Sequence, residues 1–223
     1  MRRCVLISLL LLLAGCAADG SRRDAAQTPS TNADRINAAN ASHAQVLDQD
    51  CAASMRTPRL DPIRDKVELF KPVAASVPLA ILANHAYPTA DEKAAIAVWG
   101  GLADQCQQRF IAWEQTRARP PDLDAQAARH LQGFETAEWR LGDELRVVLY
   151  DGRLTYSDYA TARQAILVNG NQAIHQYYAA VLAKDGRAMA AVDADYQRVI
   201  LAAEAYMQTV RGGAGPPRRV ARE

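Results

Sequence analysis

The stretch Thr89–Trp113, TADEKAAIAVWGGLADQCQQRFIAW, decides the fold class. It opens with a threonine followed three residues later by a glutamate, Thr89 and Glu92, which is the capping-box pattern of a helix start. Apolar residues then recur every three or four positions, as expected for one face of a helix. This apolar stripe consists of Trp99, Leu102, Cys106, Phe110 and Trp113. The pattern predicts one long helix that starts at Thr89 and ends near Ala118, before two prolines.

The same periodicity extends through most of the chain. Alanine, the best helix former, makes up about a fifth of the residues. Four further helices are predicted, from Ala33 to Arg56, from Asp122 to the turn at Asp151-Gly152, from Ser157 to Ala183, and from Arg187 to Arg211. We therefore expect an all-α fold, a mostly antiparallel bundle of four to five helices.

The predicted helix after Ser157 contains a sequence that is typical of a turn, Asn169-Gly170-Asn171. Apolar residues keep the helical phase on both sides of it, so one uninterrupted helix is predicted. Ser157 is expected to cap the start of this helix.

Residues 58–88 contain five prolines and no long periodic run. A loop of this length is uncommon in a compact domain. Asp61 and Pro62 are expected to open one short helical turn. The segment is predicted to wrap around the bundle and bury its apolar residues, which are Leu69, Phe70, Val73, Leu79, Ile81 and Leu82.

The N-terminus has the form of an export signal. Arg2 and Arg3 precede a short apolar run that ends in Leu13-Ala14-Gly15-Cys16. These four residues resemble the lipobox of bacterial lipoproteins. The resemblance implies that residues 1–15 are removed and that Cys16 becomes the lipidated N-terminus. Two or three acyl chains would then hold the protein firmly on a membrane.

The residue after the anchor bears on localisation. In enterobacterial lipoproteins, an aspartate directly after the anchor cysteine retains the protein in the inner membrane. This chain has Ala17 there, which favours the inner leaflet of the outer membrane, facing the periplasm. The periplasmic face of the inner membrane is the alternative. Residues 16–32 are expected to form the anchor and a flexible tether. Residues 33–211 are expected to form a single helical domain, and residues 212–223 a disordered tail.

Two cysteines remain once Cys4 is removed with the signal and Cys16 is acylated. Cys51 and Cys106 each lie on the apolar stripe of a predicted helix. A disulfide is predicted between them, since the periplasm is oxidising. Two buried free thiols are the alternative.

Charge and motifs exclude several functions. The chain has 26 Lys and Arg against 25 Asp and Glu, so charge gives no reason to expect nucleic-acid binding. No catalytic or metal-binding motif is recognised, and no metal or cofactor is expected. Glu135 and Glu138, one helical turn apart, are either paired acids or members of ion pairs. We favour ion pairs, with arginines such as Arg109, Arg163 or Arg198.

Seven of the eight tyrosines lie at position 150 or later. Five of them are candidates for an aromatic recognition surface: Tyr156, Tyr159, Tyr177, Tyr178 and Tyr196. The alternative, which we favour, is that tyrosines fill the edge of an alanine-rich core.

These observations predict a lipid-anchored envelope lipoprotein that acts as a non-enzymatic binding or adaptor module. Its expected partners are the membrane, through Cys16, and a protein or peptidoglycan of the envelope. The alternative function is that of a membrane-anchored periplasmic hydrolase whose catalytic residues are scattered in the sequence.

Overall fold

The computed structural model describes residues 32–70, 76–118 and 123–212, and all regular secondary structure in these ranges is helical. The elements are α1 (Asn32–Ser54), a 3-10 helix (Pro58–Ile63), α2 (Leu79–Leu82), α3 (Ala90–Thr116), α4 (Ala125–Tyr150), α5 (Tyr156–Leu182) and α6 (Gly186–Gly212). The predicted all-α bundle is confirmed, and the five predicted helices correspond to α1, α3, α4, α5 and α6.

Two local features of the sequence have the predicted structure. The capping box of α3 is complete, because the Glu92 amide donates to the Thr89 hydroxyl at 3.4 Å and the Thr89 amide donates to the Glu92 carboxylate at 2.7 Å. Helix α5 continues without interruption through Asn169-Gly170-Asn171.

The helices surround one core. Helices α4, α5 and α6 pack against one another, while α3 packs against α4 and the 3-10 helix. Helix α1 packs against α3, and the short α2 packs against the start of α5. The side chains of Leu141, Leu145 and Leu149 on α4 are fully buried where these elements meet.

The proline-rich segment is docked onto the bundle, although its buried residues are not all those expected. Leu60, Ile63, Val67 and Ile81 are buried, and Leu69 and Phe70 are partly buried. Leu82 is half-buried. Leu79 is 80% exposed, because in the single turn of α2 it lies opposite Ile81, which faces the bundle. Val73 lies outside the described residues.

Hydrogen bonds fasten this segment to α3 and to the start of α5. The Trp99 indole donates to the Leu69 carbonyl at 3.0 Å, and the Ser157 hydroxyl donates to the Leu82 carbonyl at 2.6 Å. Ser157 was expected to cap α5, but its hydroxyl is used in this contact and does not cap the helix. Thr155 caps it instead, in a capping box with Asp158.

The helical turn of the segment also begins earlier than predicted. The 3-10 helix starts at Pro58 and is capped by Thr57, whose side chain accepts from the Arg59 amide at 3.4 Å. Asp61 and Pro62 lie inside this helix rather than at its start.

The predictions for the signal, the tether and residues 213–223 fall outside the described residues. None of the helices that the structure describes is long and apolar enough to span a bilayer.

Candidate functional site

A cavity of about 790 Å³ lies between α1, α3, α4 and α5, with Leu69 and Phe70 of the proline-rich segment also in its wall. We refer to it as the tryptophan-lined cavity, because its wall includes all three tryptophans of the chain. Its aromatic residues are Phe70, Trp99, Phe110, Trp113, Trp139 and Tyr159. The volume lies within the range of small-molecule binding sites.

Three carboxyl groups of α4 face this cavity, those of Glu135, Glu138 and Asp143, and the two glutamates are the ones without an ion-pair partner. The pKa of Glu135 is raised to about 7, mainly by burial and also by the Glu114 carboxylate, with Arg117 opposing the increase. The pKa of Glu138 is likewise raised to about 7, mainly by burial and also by Glu135, with Arg163 opposing the increase. Both groups therefore change charge near neutral pH.

The ion pairs favoured from the sequence are not present. Arg163 pairs with Glu68, with Nη1 and Oε2 3.8 Å apart, and attracts Glu138 only over a longer distance. Arg198 is exposed and pairs with Asp195. Arg109 is also exposed. Within the described ranges, no hydrogen bond or ion pair satisfies Glu135 or Glu138, so the alternative of two neighbouring acids is the correct one.

Gly170 explains how Glu138 fits between α4 and α5. The Glu138 carboxylate lies so close to the Gly170 backbone that a Cβ atom at position 170 would overlap it. Glycine is unfavourable inside a helix by about 1 kcal/mol relative to alanine. The turn-like Asn169-Gly170-Asn171 sequence thus places inside α5 the one residue type that leaves room for this carboxylate.

The other charged groups in the wall are balanced. Arg146 pairs with Asp143 at 3.0 Å and lies 3.7 Å from Asp104, and its guanidinium lies 5.0 Å from the Trp99 ring centre. Glu114 pairs with Arg117 at 2.6 Å. Because Arg163 is paired with Glu68, every arginine in the wall already has an acidic partner.

Asp48 on α1 also lines the cavity, and burial raises its pKa. It has no ion pair among the residues that the structure describes. Together with Glu135 and Glu138, it leaves the unbalanced charge of the cavity negative.

Helix α1 forms one wall of the cavity and is attached covalently. The predicted disulfide between Cys51 and Cys106 is present, with Cα atoms 5.7 Å apart. Cys106 itself lines the cavity, and farther along α1 the His43 ring stacks on Trp113 with ring centres 5.7 Å apart. Since α3 is the only described element that α1 packs against, the disulfide fixes α1 beside the cavity.

The tyrosines do not form the candidate recognition surface. Four of the five candidates are at most 5% exposed and belong to the core, as expected if tyrosines fill the edge of an alanine-rich core: Tyr156, Tyr159, Tyr177 and Tyr196. Tyr178 is half-buried, and of the five only Tyr159 lines the cavity.

Part of that core lies apart from the cavity. The Tyr177 and Tyr196 rings both pack against Phe134, with ring centres 5.4 and 4.6 Å apart, and none of these three residues lines the cavity. The tyrosines are therefore divided between different parts of the bundle, because successive turns of α5 pack on different neighbours.

A second, more open groove of about 600 Å³ lies between α3 and α4 and shares Asp143 and Arg146 with the cavity. The charged residues in its wall are Asp104, Asp143 and Arg146, which pair with one another. Both acids in its wall have Arg146 as an ion-pair partner, whereas the larger cavity contains acids without one, and we therefore regard the tryptophan-lined cavity as the candidate site.

No cluster of three or more metal-ligating side chains occurs in residues 32–70, 76–118 and 123–212. Cys16, the predicted lipidation site, lies outside these ranges. Comparison of the chain with protein families, characterised proteins and solved structures finds no match, so the function has to be argued from its own residues.

Gly170→Ala tests the contact between α4 and α5. We expect it to be less stable than the corresponding alanine variant at an open glycine of α4, because the Glu138 carboxylate has to move away from the new Cβ atom and this cost offsets the better helix propensity of alanine. Urea denaturation measures the change.

Gly133→Ala in α4 is the matched control. A Cβ atom there meets nothing within 4 Å, so this variant should be as stable as the wild type or more stable. Adding Glu138→Ala to Gly170→Ala should relieve the overlap. Equal stability of the two single glycine variants would contradict the proposed contact.

Proposed function

We propose that this protein is a lipid-anchored envelope protein that faces the periplasm and binds a small organic ligand in the tryptophan-lined cavity without transforming it. The observation that carries the binding proposal is the cavity itself, about 790 Å³ in volume, with three tryptophans in its wall and two carboxyl groups whose pKa is raised to about 7. Concave sites with aromatic walls and few convergent polar groups are the usual form of small-molecule sites.

The anchor and location are proposed from the sequence. Leu13-Ala14-Gly15-Cys16 supports lipidation of Cys16, and Ala17 supports the inner leaflet of the outer membrane, with the periplasmic face of the inner membrane as the alternative. The cavity would then face the periplasm, where the Cys51–Cys106 disulfide is chemically stable. A protein or peptidoglycan partner of the envelope is compatible with the same location.

A membrane-anchored hydrolase is the second candidate. It is favoured by one observation, that Glu135 and Glu138 both have a pKa of about 7, which suits a general acid or base at neutral pH. The two candidates differ in the fate of the ligand. A binding protein returns it unchanged after long incubation, whereas a hydrolase returns its products.

Cys16→Ala tests the anchor. Wild-type protein labelled in cells with a palmitate analogue should carry the label and sediment with membranes, and the variant should be unlabelled and unprocessed, because the acylated sulfur is missing. Mass spectrometry of the mature N-terminus checks the site of modification.

Cys4→Ala is the control for the anchor, since this cysteine lies in the segment expected to be removed. It should be labelled and processed like the wild type. Recovery of an unmodified, soluble mature form of the wild-type protein would contradict the lipoprotein proposal.

Gly142→Leu tests the binding site. Gly142 lies in the cavity wall and a Cβ atom there meets nothing within 4 Å, so a leucine should occupy cavity volume without disturbing α4. In a thermal-shift screen of small amines, sugars and carboxylates, at least one class should raise the Tm of the wild type. The variant should not respond to that class.

Gly133→Leu is the matched control, because Gly133 is exposed on the same helix and has equally open surroundings. It should respond like the wild type. A screen in which no class shifts the wild type, or in which both leucine variants respond alike, would contradict binding in the cavity.

A further inference from the structure

We propose that the ligand of the tryptophan-lined cavity is an organic amine cation, with its ammonium group at Glu135 and Glu138 and its apolar body against Trp139 and Phe110. This inference rests on the proposed function, since it names the class of ligand that the cavity takes.

Charge supplies the first argument. Arg146 and Arg163 are both engaged by acids, whereas Asp48, Glu135 and Glu138 have no ion-pair partner in the part of the chain that the structure describes. Asp48 is exposed, but Glu135 and Glu138 are half-buried, and a carboxylate that loses part of its water without gaining a partner is destabilised. A cation in the cavity would supply the missing partner, whereas an anion would add to the repulsion.

The aromatic wall supplies the second argument. Two of the three tryptophans already have a cation of the protein near the ring, Arg146 at 5.0 Å from the centre of Trp99 and Arg117 at 5.1 Å from that of Trp113. Trp139 has no such cation among the described residues. It packs against Phe110 with ring centres 6.4 Å apart and directly follows Glu138 in the sequence. A ring beside a carboxylate is a favourable environment for an ammonium group with an alkyl or aryl body.

Shape separates an organic cation from a bare metal ion. A volume of about 790 Å³ is far larger than an ion needs, and its walls are aromatic rather than dense in oxygen ligands. An organic cation matches both the charge and the apolar surface of the wall.

The proposal predicts that the affinity for the cation depends on pH, and the direction of this dependence follows from the groups around the two acids. Glu114 and Arg117 face Glu135 from α3, Arg163 faces Glu138 from α5, and Tyr196 of α6 has its own pKa raised by burial and by Glu138. Asp48 and the Asp143–Arg146 pair share the cavity.

Because the pKa of each glutamic acid is about 7, both are mostly ionised at pH 8 and only about 3% ionised at pH 5.5. Cation binding is therefore stronger at pH 8, and near pH 7 it releases protons.

The experiment compares three probes of similar shape, 2-phenylethylamine, 2-phenylethanol and 3-phenylpropanoate, by calorimetric titration of the full chain. At pH 8 the amine should bind at least about tenfold more tightly than the alcohol, and the carboxylate should bind more weakly than either. At pH 5.5 the affinity for the amine should fall about tenfold or more, while the affinity for the alcohol stays constant. Titrations near pH 7 in buffers of different ionisation enthalpy should show proton release with the amine only.

The Glu135→Gln, Glu138→Gln double variant tests which groups discriminate among the probes. It should bind the amine and the alcohol equally and lose the pH dependence, while its Tm at pH 8 should match or exceed that of the wild type, because two half-buried charges without a partner are removed. Retained alcohol binding shows that the variant is folded and its cavity open. Gly142→Leu should abolish binding of every probe that occupies the cavity.

The outcomes separate the two proposals. Alcohol or carboxylate binding as tight as amine binding, or an amine preference that survives in the double variant, overturns the cation assignment and leaves the cavity as a ligand site. The cation assignment is also overturned, and the cavity remains a ligand site, if none of the three probes binds but another class of small molecule shifts the Tm of the wild type and not that of Gly142→Leu. If no ligand is found whose binding is blocked by Gly142→Leu, both proposals are overturned.

Discussion

Two carboxyl groups on one turn of α4 are half-buried without an ion-pair partner among the described residues, and the rest of the site is built around this constraint. Each ionised group is destabilised because the apolar wall of the cavity removes part of its hydration. The bundle accommodates them by leaving a cavity beside α4, by using glycine at position 170 of α5, and by surrounding the cavity with aromatic rings. A chain selected only for stability would be expected to replace such acids with apolar residues, and we therefore interpret their presence as functional.

The cavity in turn determines how α1 is held. A helix that borders an open space has fewer apolar contacts, and α1 packs against α3 alone among the described elements. The Cys51–Cys106 bridge compensates for this covalently. It closes a loop between residues 55 positions apart, which in the chain-entropy model stabilises the fold by roughly 4 kcal/mol. The same loop contains the proline-rich segment, whose Leu60 and Ile63 fill the core below α3 in place of a regular helix.

Much of the fold could be predicted from the sequence, because its signals are local. The Thr89–Glu92 capping box, the apolar stripes and the unbroken helical phase across Gly170 need only neighbouring residues for their interpretation. The disulfide could be predicted because each cysteine lies on the buried stripe of its own helix. The start of α5 agrees with the prediction to within one residue, but its predicted cap, Ser157, is wrong. Ser157 and Thr155 are equally plausible caps in one dimension, and the choice depends on Leu82, whose carbonyl accepts from the Ser157 hydroxyl from a distant segment.

The site was less accessible to prediction, since it depends on which residues meet across the bundle. Glu135 and Glu138 were recognised as neighbours, but their lack of ion-pair partners in the described chain follows from Arg163 turning to Glu68. Nothing in the sequence shows that Trp99, Trp113 and Trp139 converge on one space. The five candidate tyrosines could not be distinguished from core residues for the same reason.

The central claim is that Glu135 and Glu138 are two partner-free acids in a cavity, and NMR titration of their side-chain carboxyl carbons in the unliganded protein tests it most directly. With glutamate labelled at the carboxyl carbon and each resonance assigned from the Glu→Gln variants, both groups should titrate near pH 7, far from the ordinary value of 4.5. Titration of both groups near pH 4.5 would show that they are solvated or ion-paired and would contradict the account.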